Sequence, residues 1–206
     1  MKKPIHISNI NFSRVDIDLF HNLSLDIKYN SLNLIFGKSG KGKTTLIDIL
    51  SGLIKTDNIS FDNSSFNPFL DNISYQSQKP FFIDGTVLEN ILLSREKGVF
   101  YNQIAKLTRQ LNLVEDTEIT IETFLSKKIS NNGVEFSGGQ LQRIALIRTL
   151  ISDKEFIFLD EVTVGLDKKN QINLINIVRE MSVNKTFVIV SHNELWIDDT
   201  SNVIRL

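Results

Sequence analysis

Leu32-Asn33-Leu34-Ile35-Phe36-Gly37-Lys38-Ser39-Gly40-Lys41-Gly42-Lys43-Thr44-Thr45-Leu46 is the stretch on which the fold turns. Leu32 to Phe36 is a short, nearly continuous apolar run, the pattern of a strand buried on both faces. Gly37 to Thr44 follows at once and fits G-x-x-x-x-G-K-[ST], and a helix is expected from Thr44 to about Leu53. Strand, glycine turn and helix together give the motif its chemistry. The glycines let the backbone wrap phosphate oxygens with its N–H groups pointing inward, at the positive end of the helix. In that cradle Gly37, Lys38, Ser39, Gly40, Lys41, Gly42, Lys43, Thr44 and Thr45 hold the phosphates. Lys43 reaches the β and γ groups, and the Thr44 hydroxyl ligates Mg²⁺.

Working outward, Phe156 to Leu159 is a second buried-strand candidate and Thr186 to Val190 a third. Between them Leu174, Ile177, Val178 and Met181 recur at helical spacing, as do Ile144, Ile147 and Ile151 in a helix beginning just after Gly138-Gly139. Alternating strands and helices predict an α/β fold with a mainly parallel sheet. Near the N-terminus, Ile5 to Phe12 and Leu23 to Ile27 read as β-strands. Residues 57–72 read as hairpin and loop around a strand near Ile59 to Phe61, and Gly85 to about Asn112 reads as helical.

In a parallel sheet the strand ends on the phosphate loop's edge line the ligand crevice. Asp160 and Glu161 end the second buried strand, and His192 follows the third. Asp160 suits Mg²⁺, reached through water, as a hard oxygen ligand. Glu161 suits a general base or water-positioning group for attack on a γ-phosphate, and His192 a hydrogen bond to that phosphate. Ser137-Gly138-Gly139, at the start of a helix, is a second anion site by the same physics as the first.

The bulk numbers exclude several classes. The chain has 206 residues, net charge -1 and no cysteine. That is room for one sizeable domain, with no disulfide framework, no Cys-ligated metal and no basic field for nucleic acid. The first residues, MKKPIHISNINF, lack the apolar segment of a secretion signal, so a cytoplasmic location is expected. Nowhere is there the run of roughly 18 apolar residues that a spanning helix needs. Membrane contact would go through another chain.

Phe136-Ser137-Gly138-Gly139-Gln140, followed by Leu141-Gln142-Arg143-Ile144-Ala145-Leu146, resembles the LSGGQ signature of ABC ATPases. With the phosphate loop before it and Asp160-Glu161 after it, the resemblance covers essentially the whole chain. It implies an ABC ATPase fold: a P-loop core, an N-terminal antiparallel β subdomain, and a helical subdomain inserted at roughly 79–150 of a single 1–206 domain. It also implies ATP and Mg²⁺ as ligands, and head-to-tail pairing with a second ATPase copy, identical or a close paralogue. In that pair Ser137, Gly138, Gly139, Gln140 and Asp167 meet the ATP site of the partner. Gln78 resembles the glutamine that senses Mg²⁺ and the attacking water, Val164-Gly165-Leu166-Asp167 the D-loop, and His192 the switch histidine.

Gly85-Thr86-Val87-Leu88-Glu89-Asn90-Ile91 and Gly133 resemble the exporter branch. The resemblance thus implies a transport ATPase at the cytoplasmic face of a membrane, driving a separate integral membrane subunit. That subunit would engage beside Gln78 and Phe81-Phe82, unless these phenylalanines are core. The competing class is a soluble ABC ATPase acting on nucleic acid or ribosomes, whose long coiled-coil insertions and paired cassettes are missing here. A further possibility is a nucleotide-gated binding subunit that hardly turns over. Three departures stand out: Arg14 occupies the place of the adenine-stacking tyrosine, Asn131 that of a glutamate, and Phe136 that of the signature leucine. A minimal unit, without regulatory extension past Leu206, is expected.

Overall fold

A computed structural model describes residues 2–14, 17–56, 59–93, 97–114, 120–130 and 133–206, so Asn131 lies outside the described residues. The chain divides into two compact units. The first comprises Met1–Tyr75, Lys154–Glu161 and Val178–Leu206, and the second Gln76–Asp153 and Val162–Ile177.

The strands are β1 (Ile5–Arg14), β2 (Ile17–Ile27), β3 (Leu32–Phe36), β4 (Ser60–Phe61), β5 (Ile73–Gln76), β6 (Gly85–Thr86), β7 (Lys128–Ile129), β8 (Phe156–Asp160), β9 (Thr186–Ser191) and β10 (Asn202–Arg205). The helices are α1 (Lys43–Leu50), α2 (Val87–Leu92), α3 (Lys97–Gln110), α4 (Ile121–Ser126), α5 (Gly138–Leu150) and α6 (Lys168–Ser182).

The main sheet runs β10-β3-β9-β8-β5, and β10, β3, β9 and β8 are mutually parallel. Every residue of β8 and β9 is buried, as the unbroken apolar runs predict for strands covered on both faces. Asn33, the one polar residue inside β3, is fully buried and satisfied. Its Nδ2 donates to the carbonyls of Phe187 (3.0 Å) and Lys28 (2.9 Å), and its Oδ1 accepts from Lys28 N (2.8 Å) and Asn202 Nδ2 (2.9 Å). A buried amide with all partners made costs little and fixes register. Phe69 locks the core beneath, packing edge-on against Phe156 and Phe158 at ring-centroid distances of 4.9 and 5.3 Å.

β1 and β2 are longer than their sequence patterns and pair antiparallel, with register shifts between Ile7 and Ser13, and β4 joins β1 on its other side. The bulges absorb polar residues such as Asn9 and Asn11 that broke the expected alternation. α1 stops at Leu50, short of Leu53, because Gly52 takes a left-handed conformation (φ 78°).

The second unit is where the sequence pattern was coarsest. Gly85 to Asn112 is not one helix. Gly85-Thr86 pairs antiparallel with Lys128-Ile129, and Thr86 then starts α2 with a reciprocal capping box to Glu89. α2 ends at Leu92 and is capped by Leu93, whose φ is 51°. α5 packs against α2 and α3, and α2 against α4. Ile144, Ile147 and Ile151 are buried as their spacing requires. No helix among the described residues is long and apolar enough to cross a membrane.

Candidate functional site

Three parallel strands deliver the first unit's chemistry to one sheet edge. β3 ends at Phe36 and opens into the glycine loop, β8 ends at Asp160, and β9 ends at Ser191, one residue before His192. Adjacent parallel strands bring their C-terminal ends together whatever lies between them in sequence.

The loop turns into α1 at Gly42, whose φ is 83° and whose place a Cβ would fill 2.9 Å from the Phe20 ring. Both the left-handed conformation and the aromatic neighbour demand glycine there. Lys43, 7% exposed, donates from Nζ to the Lys38 carbonyl at 3.0 Å, so its side chain curls back over the loop. Its ammonium lies 3.9 Å from Glu161 Oε1. Lys38, Ser39, Gly40 and Lys41 are exposed, while Thr45 is buried under the loop.

The Thr44 hydroxyl donates to Asp160 Oδ2 at 3.0 Å. Asp160 is 1% exposed and its Oδ1 is buried without a hydrogen-bond partner. An orphaned hard oxygen beside a hydroxyl fits a magnesium ion, which takes few protein ligands and leaves the rest to phosphates and water. Glu161 departs from strand geometry with φ 49°, and its N–H donates to the Val190 carbonyl at 2.9 Å. A non-glycine residue held left-handed beside a reactive carboxylate is the kind of strain that collects at functional sites. His192 Nδ1 lies 2.9 Å from Glu161 Oε2 and 3.1 Å from Oε1, with the ring 64% exposed.

Burial, foremost, pushes the Asp160 carboxyl from its ordinary 3.8 up to about 6, the Thr44 hydroxyl opposing and the Glu161 charge adding to the rise. The folded chain therefore holds this proton more tightly than the unfolded one. The stability it confers is present in acid and is lost as pH rises from about 4 through 6. Asp160→Asn is expected to abolish this loss, raising the stability of the nucleotide-free chain at pH 7 by at most about 3 kcal/mol. Thermal melting of both proteins from pH 4.5 to 7.5 checks it. Equal pH slopes would contradict the assignment.

The second unit carries the other predicted residues. Gln78 follows β5 and is exposed. Ser137 caps α5, its Oγ accepting from Gln140 N at 3.2 Å while the Gln140 side chain accepts from Ser137 N at 2.9 Å. Gln140 is thus committed to the turn's own geometry, and Gly138 and Gly139 form the first turn. Phe136, the replaced leucine, is 9% exposed and acts as a plain apolar anchor. Phe81 is 64% exposed and Phe82 half-buried, so the pair is not core. Arg14, in the first unit, ends β1 opposite Ile17 and is exposed.

Two residues went unrecognised in the sequence. Arg148, 8% exposed, donates from Nε to the Asn90 carbonyl (2.7 Å) and from Nη1 to the Phe81 carbonyl (2.9 Å). Its guanidinium lies 4.9 and 5.1 Å from the rings of Phe81 and Phe82. Asn90, fully buried, donates to the carbonyls of Ile83 and Thr86 and accepts from Ile83 N. Together they present Phe81 to solvent. Asn90 sat inside a quoted motif, but a motif does not name a residue's partners.

The family description "ABC transporter" matches residues 20–164. ABC transporter B family member 2 of Dictyostelium discoideum is 28% identical over 97% of this chain. The glutathione/L-cysteine transport system ATP-binding/permease protein of Bacillus subtilis is 28% identical over 91%. The chain spans only 15% and 33% of these two relatives. Among solved structures, a bacterial Atm1-family ABC exporter with ATP bound matches with TM-score 0.82 and 21% identity, over 98% of this chain and 38% of that one.

Proposed function

The chain belongs to the ABC transporter family, and on that premise we propose that it binds and hydrolyses ATP to power translocation by a separate integral membrane subunit. The observation that carries this reading is the convergence of Lys43, Thr44, Asp160, Glu161 and His192 on one sheet edge. Lys43 and the loop N–H groups hold the β and γ phosphates, Thr44 and Asp160 would hold Mg²⁺, and Gln78 is the side chain proposed to sense it. Mg²⁺ held there would neutralise phosphate charge. Glu161 orients water for in-line attack and accepts its proton, while His192 steadies the Glu161 carboxylate and reaches the γ-phosphate. Arg14 lays its guanidinium on the base in place of an aromatic ring.

A second copy of the chain, or a close paralogue, pairs head to tail, so that Ser137, Gly138, Gly139, Gln140 and Asp167 cover the partner's ATP. Residues at roughly 79–150 form the helical subdomain. The exposed Phe81, held by Arg148, is the contact offered to the membrane subunit on the cytoplasmic face. The exporter branch is favoured by the names of the relatives, and no direct contact with nucleic acid is expected.

The test is phosphate release by the purified chain with Mg²⁺ and ATP, alone and with its detergent-extracted membrane partner. Turnover of about 1 per second or more is expected in the complex, the low end of enzyme rates of roughly 1–1000 per second. No release in either state sinks the hydrolytic reading. Co-purification with ribosomes or DNA, in place of an integral membrane protein, sinks the transport reading.

A further inference from the structure

Asp167, the D-loop acid just ahead of α6, has both carboxylate oxygens engaged by one residue. Asn170 N donates to Oδ1 at 2.9 Å, and Asn170 Nδ2 donates to Oδ2. The remaining polar atom of Asn170, Oδ1, accepts from Asn112 Nδ2 at 2.9 Å and faces Arg143 Nη1 at 3.4 Å. Arg143 belongs to the signature helix. Its Nε donates to the Gly139 carbonyl at 3.0 Å, and its Nη1 closes the end of α3 through the carbonyls of Leu111 (2.8 Å) and Asn112 (3.0 Å).

Asn170 is 8% exposed while Asp167 is exposed, so the buried amide carries the bonds outward to a carboxylate at the surface, and a bond left unmade at the amide is costly. The two segments also lie close together. A Cβ added to Gly139 would come 3.4 Å from the Gly165 carbonyl, and Gln171 Nε2 ties the D-loop carbonyl of Leu166 (2.9 Å) and the carbonyl of Thr163 just before the loop (3.3 Å). D-loop and signature turn are therefore linked through two side chains, the Asn170 amide holding Asp167 and facing Arg143, and Arg143 holding the Gly139 carbonyl.

We infer that Asn170 is a positioning residue that fixes Asp167 against the signature turn, so that the two groups reaching across the ATPase dimer arrive as one preorganised surface. An amide alone suits the post: Nδ2 must donate to a carboxylate while Oδ1 accepts from an amide and a guanidinium. The inference rests on the head-to-tail reading above. Its distinctive consequence is that damage at Asn170 weakens dimerisation without touching the phosphate loop, which binds ATP in the other unit.

The test uses the full chain in a Glu161→Gln background, where turnover is expected to be at least about 100-fold slower. Three readouts are taken: ATP affinity at high dilution, the ATP-dependent dimer constant by sedimentation, and Tm. Two variants are compared. Asn170→Ala removes the bridge. Asn170→Asp keeps the size and the acceptors for Arg143 and Asn112, and places an acid in a first helical turn, where it favours folding. It loses the donor to Asp167 and sets two carboxylates together. Both variants should weaken the dimer about tenfold or more, with ATP affinity changed less than about threefold, the loss expected for a hydrogen bond to a charged group. If Asn170→Asp dimerises like the parent, Asn170 merely supports the fold and the inference is overturned, whatever Asn170→Ala does. If the parent itself forms no dimer with ATP, the head-to-tail reading fails first and the inference falls with it.

Discussion

Glu161→Gln is expected to lower steady-state phosphate release about 10²–10⁴-fold, the range that one positioned general base contributes, while leaving ATP affinity within about threefold of wild type. The geometry makes the split sharp. A glutamine at this position would keep the backbone bond to Val190 and much of the side chain's shape, so the strained strand end stays where it is. What disappears is the negative charge shared by Oε2, which His192 Nδ1 meets at 2.9 Å, and Oε1, which Lys43 Nζ faces at 3.9 Å. Phosphate binding is not expected to depend on that charge. Losing kcat with KM nearly intact is the signature of an interaction made in the transition state and absent from the ground state. Single-turnover phosphate release beside equilibrium ATP binding measures both. A variant that hydrolyses at more than about a tenth of the wild-type rate would remove Glu161 from the mechanism.

Lys43→Ala should do the reverse first. Its ammonium is buried, held over the loop by the Lys38 carbonyl, and is the one buried lysine of the cradle. On the proposed reading its deletion would strip one or two charged hydrogen bonds from the phosphates, each of about 1.5–3 kcal/mol, so ATP affinity should fall at least about tenfold. Hydrolysis should fall further, by about 10³, because charge spreading onto the γ-phosphate oxygens loses its cation. Lys38→Ala and Lys41→Ala are the internal controls. Both side chains are exposed, and Lys38 serves Lys43 through its backbone carbonyl, which alanine retains. Each should change affinity less than about threefold. Isothermal titration of the four proteins with ATP decides it, and equal losses at all three lysines would mean a diffuse electrostatic effect in place of a specific ligand.

Much of the core and site could be read from local sequence because each piece carried its own short-range signal. The apolar runs at Leu32–Phe36, Phe156–Leu159 and Thr186–Val190 became buried parallel strands because uninterrupted apolar side chains must be covered on both faces. Their parallel packing was enough to bring Thr44, Asp160, Glu161 and His192 to one edge, although most of the chain separates the first from the last, because strand ends align in such a sheet. The signature turn announced itself through Ser137 and two glycines, and its reciprocal cap with Gln140 is local too. The second unit was less legible: Gly85-Thr86 pairs with the distant Lys128-Ile129, and no local period foretells such a partner.

Local sequence was thus sufficient for the α/β class, the phosphate loop, the acids at the strand end and the signature turn, since glycine conformations, strand burial and helix caps are decided within a few neighbouring residues. What those groups do to one another came from tertiary packing alone. Packing pushed the Asp160 carboxyl up to about 6 by burying it, placed His192 against Glu161, turned Phe81 outward over Arg148, and made Asn170 the bridge from Asp167 to Arg143. Desolvation and hydrogen-bond partnership belong to the surroundings of a residue, and those surroundings come from chain segments far apart in sequence.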